Sequence, residues 1–220
     1  MIKVAHSTCP NAREAAQELR NQLGDITPKL LLCFASTQQE PRELVRELHH
    51  HYHDAMFAGC TTAGEISSGK MTRGGVVAMA IGEEIVEKAA AAVVDLASME
   101  ASLDSALKSL ARHMGGPLDE LDPDTTVGIV IADGLSGAEE RLIEGISRRT
   151  EIPFVGGSAG DDLKFQKTSV FLGNGIFGNS ALLLVLKLPR GYEIVKTQSF
   201  ETTGKFLEAT EVDEPSRTMR

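Results

Sequence analysis

Hydrophobic and polar positions along the chain alternate between a strand period and a helical one, and they do so twice. An apolar run at Leu30–Ser36 leads through a polar turn into a stretch where Leu44, Val45, Leu48 and Tyr52 share one helical face. A short apolar step at Met56–Ala58 then ends at Gly59. Val127–Asp133 opens the same succession, with Leu142, Ile143 and Ile146 on the helical face and Phe154–Val155 leading to Gly156. A constant offset of 97 residues relates Ala35 to Ala132, Glu43 to Glu140, Phe57 to Phe154 and Gly59 to Gly156. Each copy continues through a polar stretch into an apolar strand, Val76–Ile81 or Ala181–Leu188, and a further strand opening Glu-Ile-Val, at Glu84–Val86 and Glu193–Val195. Acidic residues at the helix starts, in Glu40-Pro41 and Gly137-Ala138-Glu139, suit the helix dipole, as do Arg148-Arg149 at the second helix's end.

This pattern predicts an α/β fold of internally duplicated β-α-β-β-β units, forming one mixed sheet or two packed sheets with flanking helices. Residues 1–190 read as one domain, with repeat one at about 29–95 and repeat two at about 126–200. A helical linker at about 99–116 carries Met99, Leu103, Leu107 and Leu110 on one face and stops at Gly115-Gly116-Pro117. Residues 191–220 read as the start of a further region and a polar tail.

Composition narrows the function. The net charge of -9 over 220 residues disfavours phosphate-backbone and anionic-membrane binding, and the absence of Trp removes the usual base-stacking platforms. No apolar run is long enough to span a bilayer, and the strand-like Met1–Val4 start shows no secretory pattern. Three cysteines without a CxxC pair argue against a disulfide framework, so a cytoplasmic setting is expected.

The two Gly-rich segments, read as turns, are the leading candidate site. They are Gly59-Cys60-Thr61-Thr62-Ala63-Gly64-Glu65 and, after one deletion, Gly156-Gly157-Ser158-Ala159-Gly160-Asp161. Such segments let backbone N–H groups converge on a carboxylate, with Cys60, Thr61, Thr62 and Ser158 as small donors. Glu65 and Asp161 would receive an ammonium group. The plainer reading is tight strand exits and close packing between repeats; neither segment matches a phosphate loop or GxGxxG. Ser36 and Asp133 end corresponding strands, where polar residues face a ligand crevice or merely form turns. Cys60 would be the nucleophile of a thiol hydrolase only with a base beside it, and is otherwise a small buried residue. In His49-His50-His51-Tyr52-His53 the i,i+4 pair His49 and His53 suits a metal, and His49, His51 or His113 suits haem iron; a solvated helix end is the alternative.

Gly59-Cys60-Thr61-Thr62-Ala63-Gly64-Glu65-Ile66 resembles the central motif of the FIST sensory domain, N-terminal part. Leu31–Ser36, Phe154–Asp161 and Val170-Phe171-Leu172-Gly173-Asn174-Gly175 fit the same pattern, so the resemblance runs from about Leu30 to Leu188. It implies a bacterial signal-input domain rather than an enzyme, binding a small polar ligand such as an amino acid, without nucleic acid or membrane. It also implies a separate output partner: a histidine kinase, a diguanylate-turnover enzyme or a chemotaxis-type transducer. A haem-based nitric oxide sensor is the alternative the family allows. Complete members continue into a C-terminal FIST domain, of which Tyr192–Val212 resembles only the entry.

Overall fold

The computed structural model describes residues 1–197, 200–206, 208–213 and 218–219; the other positions of the expected 191–220 region lie outside this description. Along the first part of the chain run β1 (Ile2–Ser7), α1 (Ala12–Leu23), β2 (Leu30–Ser36), α2 (Pro41–His51), β3 (Met56–Thr62), a small hairpin β4 (Glu65–Ser67) and β5 (Lys70–Thr72), and β6 (Val76–Ile81). The second part has β7 (Lys88–Asp95), α3 (Met99–Met114), β8 (Thr126–Asp133), α4 (Glu139–Ser147), β9 (Phe154–Ala159), the hairpin β10 (Val170–Leu172) and β11 (Gly175–Phe177), and β12 (Ser180–Lys187).

Most of the strands form two mixed sheets, ordered β1-β6-β2-β3-β10-β11 and β7-β12-β8-β9, and β4–β5 pairs separately. The first four strands of each obey one scheme. The chain's first strand lies antiparallel to the last, which lies antiparallel to the second, and the second is parallel to the third. Residues 88–95 therefore belong to the second sheet, and α3 packs on it rather than standing between units.

Period-two alternation places the sheets face to face. Leu30 and Leu32 of β2 meet Leu182, Leu184 and Leu186 of β12 in a central core. Their neighbours Leu31, Cys33 and Ala35 turn outward under α1 and α2, while Ala181, Leu183 and Val185 turn outward under α3 and α4. The result is four layers, helices outside two sheets. Strands buried on both faces read as unbroken apolar runs, which is why Leu30–Ser36 and Ala181–Leu186 show no alternation in sequence.

Local chemistry sets the helix ends. Asn11 caps α1 by accepting from the backbone N–H groups of Arg13 and Glu14 at 3.1 and 3.0 Å. Pro41 opens α2, which has no side-chain cap. Gly115, in the left-handed region, ends α3.

Three local expectations change. The Gly-rich segments are not turns over their first halves: Gly59–Thr62 is the end of β3, and Gly156–Ala159 the end of β9. Glu84–Val86 forms a turn, and Glu193–Val195 is not in a strand. The hairpins β4–β5 and β10–β11 arise from stretches too polar and Gly-rich to register as strands in the pattern.

Gly59 and Gly156 have the same reason to be glycine. Gly59 is paired in register with Cys33 and Gly156 with Val130. A Cβ on Gly59 would fall 1.8 Å from the Cys33 carbonyl oxygen, and one on Gly156 would fall 1.7 Å from that of Val130. Close approach of parallel neighbours, repeated at the same place in both sheets, accounts for both residues.

Candidate functional site

The chain leaving β9 crosses to β3. The Gly160 N–H donates to the Thr61 carbonyl at 2.9 Å, and the space a Gly160 Cβ would need is taken by Ala63, whose nitrogen would lie 2.7 Å away. The two motifs thus touch at Thr61–Ala63 and Gly160. The loop beyond, residues 160–169, lies over the ends of both sheets before β10 pairs with β3.

Corresponding strand ends hold this loop at two points. Ser36, at the end of β2, donates from Oγ to Asp162 Oδ2 at 2.7 Å, and Thr37 Oγ1 donates to the same oxygen at 3.1 Å. Asp133, at the end of β8, accepts from Thr168 Oγ1, from the Leu135 N–H at 2.9 Å and from the Asn179 N–H at 2.6 Å. Both residues are buried. Their polar groups are engaged in holding the chain.

The two acidic members of the motifs are likewise engaged. Glu65 accepts from Thr62 Oγ1 at 2.6 Å and from the Gly75 N–H at 3.1 Å, which ties the β4–β5 hairpin back toward β6. Asp161 accepts from the backbone N–H groups of Phe165, Gln166 and Lys167 at 2.9, 2.5 and 3.0 Å. Burial alone would raise its pKa; the donors at Gln166, Lys167, Phe165 and Lys164 outweigh burial and hold the carboxyl below its ordinary range. Thr61 is buried and exchanges hydrogen bonds with Ser169, accepting from its N–H at 3.0 Å.

A cavity of about 340 Å³ opens beside this junction. Thr37, Gln39, Glu40, Pro41 and Arg42 line it from the start of α2; Thr61 lines it from β3; Asp161, Lys164, Gln166, Lys167 and Ser169 line it from the loop; Ile176 lines it from β11. Three cationic residues, Arg42, Lys164 and Lys167, therefore line the same cavity as the start of a helix that has no side-chain cap. Gln39 is buried, and its Nε2 donates to the Cys9 and Gly74 carbonyls at 2.9 Å each, leaving Oε1 without a partner. The arrangement suits an anionic group at the helix end. Glu40 and the Gln39 amide oxygen supply acceptors nearby.

Of the residues expected at a site, Thr61 and Asp161 line this cavity. Ser36, Thr62, Gly64, Glu65 and Asp133 build its surroundings or adjoining turns. Gly157 and Ser158 lie elsewhere, exposed on β9, where Ser158 Oγ donates to Glu139 Oε1 at 3.0 Å. Arg42, Lys164 and Lys167 were not foreseen. Their signal is faint: two lysines three apart in a polar loop, and an arginine just inside a Pro-started helix.

Cys60 faces the central core and is buried, which pushes its thiol up to about 12. No hydrogen-bonded base accompanies it among the described residues. A thiol in that state is a poor nucleophile at neutral pH, which counts against the hydrolase alternative. The expected haem ligands His49, His51 and His113 lie apart from this cavity. His49 stacks on Phe57 with ring centroids 6.5 Å apart, His51 is exposed beside Tyr52, and His113 Nδ1 lies 2.8 Å from the Ser109 carbonyl. None of them lines the cavity at the start of α2, and no cluster of three or more metal-ligating side chains occurs among the described residues.

No helix of the described residues is long and apolar enough to cross a membrane. Comparison with known proteins found no significant match among curated sequences or solved structures. The FIST N domain family model, in contrast, matches residues 29–217, which include both Gly-containing strands, the 160–169 loop and every residue lining the cavity. The chain belongs to the FIST N domain family, a family of sensory domains.

Proposed function

We propose that this protein is a signal-input domain that binds a small polar ligand bearing a carboxylate, an amino acid being the leading class, in the cavity at the start of α2. The observation that carries this reading is that Arg42, Lys164 and Lys167 line one cavity with the uncapped start of α2, in a chain whose net charge is -9. None of the three forms an ion pair among the described residues. A carboxylate there gains the helix N–H groups and the cations together. An amino group would turn to Glu40 and the unpartnered Gln39 oxygen.

The cavity walls come from both parts of the chain, the β2–α2 junction and the 160–169 loop. Ligand binding would therefore bias the position of the loop relative to α2, and a separate partner would read that change. A histidine kinase, a diguanylate-turnover enzyme or a chemotaxis-type transducer, in a cytoplasmic setting, is the class of partner proposed.

Calorimetry against an amino-acid panel is the test. Saturable binding that weakens roughly tenfold or more in Arg42→Ala and in the Lys164→Ala/Lys167→Ala double variant is expected, about 1.4 kcal/mol or more for each. Absence of binding across the panel, or binding indifferent to both variants, would remove the reading.

A further inference from the structure

The two sheets differ at one edge. In the first, β10 lies antiparallel on β3, with Val170 opposite Cys60, Phe171 opposite Gly59 and Leu172 opposite Ala58. In the second, β9 is the last strand, and among the described residues nothing pairs with its outer edge. The hairpin that would cover it by analogy, β4–β5, pairs only with itself, and the Glu65 bonds to Thr62 and Gly75 keep it at the β6 side. Edge strands usually carry charges, prolines or bulges that prevent pairing. Phe154-Val155-Gly156-Gly157-Ser158 has none of these, and residues 155–158 are exposed.

The side-chain seat is duplicated as well. Phe171, fully buried opposite Gly59, packs into the cluster that contains Cys33, Ala35 and Phe57 on its sheet and Leu44 and Leu48 on α2. The equivalent strand positions are Val130, Ala132 and Phe154, with Gly156 in place of Gly59. These residues, with Leu142 and Ile143 of α4, line an open groove of about 220 Å³. At its end the Glu139 Oε2 atom is buried without a partner, next to Ser158.

We propose that the edge of β9 and this groove form a docking site for an extended segment of a partner protein. That segment adds as an antiparallel strand, places a large apolar side chain opposite Gly156, and carries a hydrogen-bond donor two residues earlier to meet Glu139. The internal template is Ser169-Val170-Phe171 on β3, where Ser169 sits opposite Thr61. Pairing of β9 with the β9 edge of a second copy does not satisfy the site. The one bulky outward residue β9 offers, Phe154, is already packed against its own outer core, and glycine would face glycine. Backbone pairing supplies the affinity and the groove the selectivity, as in other strand-addition sites.

The experiment uses the full chain and a synthetic peptide copying Lys167–Asn174, followed by amide chemical shifts and calorimetry. Expected are saturable 1:1 binding with shifts confined to β9 and α4, and a loss of roughly tenfold or more when the peptide's Phe is replaced by Ala. Ile143→Glu, at a partly exposed groove position, and Ser158→Pro, which removes an outward N–H, should each abolish binding while thermal unfolding confirms the fold. Absence of saturable binding, shifts centred on β1 or β3, or affinity unchanged by Ile143→Glu and by the Phe-to-Ala peptide would overturn the proposal. None of these outcomes depends on ligand binding at the α2 cavity.

Discussion

Ser36 and Asp162, 126 residues apart, are joined by a 2.7 Å hydrogen bond that links the first sheet to the loop leaving the second. Ser36 is fully buried, and Thr37 shares the same carboxylate oxygen, so the loop is held where it forms one wall of the cavity at the start of α2. The corresponding residue of the other sheet, Asp133, holds Thr168 in the same loop. Two equivalent strand ends, one a hydroxyl and one a carboxylate, have been put to one task with reversed polarity.

Ser36→Ala removes a hydrogen bond to a charged acceptor and is expected to cost about 2 kcal/mol. The loss should be concentrated in the loop: amide exchange of residues 162–168 should accelerate while the central strands β2 and β12 keep their protection. Uniform acceleration across the molecule would show that the bond serves global stability instead.

The paired glycines give a second expectation. Gly59→Ala and Gly156→Ala each drive a Cβ into a neighbouring carbonyl and should destabilise by about 1–3 kcal/mol or more, read from the denaturant midpoint. Gly157→Ala is the control, because nothing lies within 4 Å of its added carbon. Its effect should stay within about 1 kcal/mol and can be stabilising. A Gly59 variant as stable as the Gly157 variant would contradict the close strand approach.

Much of this architecture is legible in the sequence because the duplication preserves register. The offset that relates Gly59 to Gly156 also relates Cys33 to Val130, and these are the residues found side by side in the two sheets. The sheet-on-sheet core follows from apolar runs at β2, β8 and β12 that are too continuous for strands with a wet face. The site was less legible for a physical reason. Thr62, Glu65 and Asp133 look like ligand groups in composition, yet each is consumed by a local hydrogen bond, and only coordinates reveal that. Arg42, Lys164 and Lys167 carry no pattern, since a loop and a helix start converge on them from different parts of the chain. The hairpin β10–β11 was hidden because its pairing with β3 is set by tertiary register and not by its three-residue strands.

Acid should release the loop before it unfolds the sheets. Asp161 has a folded pKa below its ordinary 3.8, so its contribution is fully present above that value and is lost as pH falls through the folded pKa. The amides of Phe165, Gln166 and Lys167, which donate to this carboxylate, should show coupled shift changes below about pH 4. Asp161→Asn should abolish that titration and give a loop already loosened at neutral pH. A titration of these amides that persists in Asp161→Asn would assign the transition to another group.

Cysteine chemistry offers a direct check of the central core. Cys33 and Cys60 are buried, and burial raises both thiol pKa values, Cys60 to about 12. Cys9 is partly exposed at the start of α1, where its Sγ donates to Glu14 Oε2 at 3.3 Å. Since the thiolate is the reacting species, alkylation at neutral pH should modify Cys9 alone in the native protein. Cys33 and Cys60 should react only at the rate of unfolding, and both should become as reactive as Cys9 in denaturant. Because Cys60 sits between the sheets, beside Leu30 and Leu182 in the same core cluster, its labelling rate reports separation of the two sheets. A Cys60 rate comparable to that of Cys9 under native conditions would mean that the sheets open readily, and would return the thiol to consideration as a reactive group.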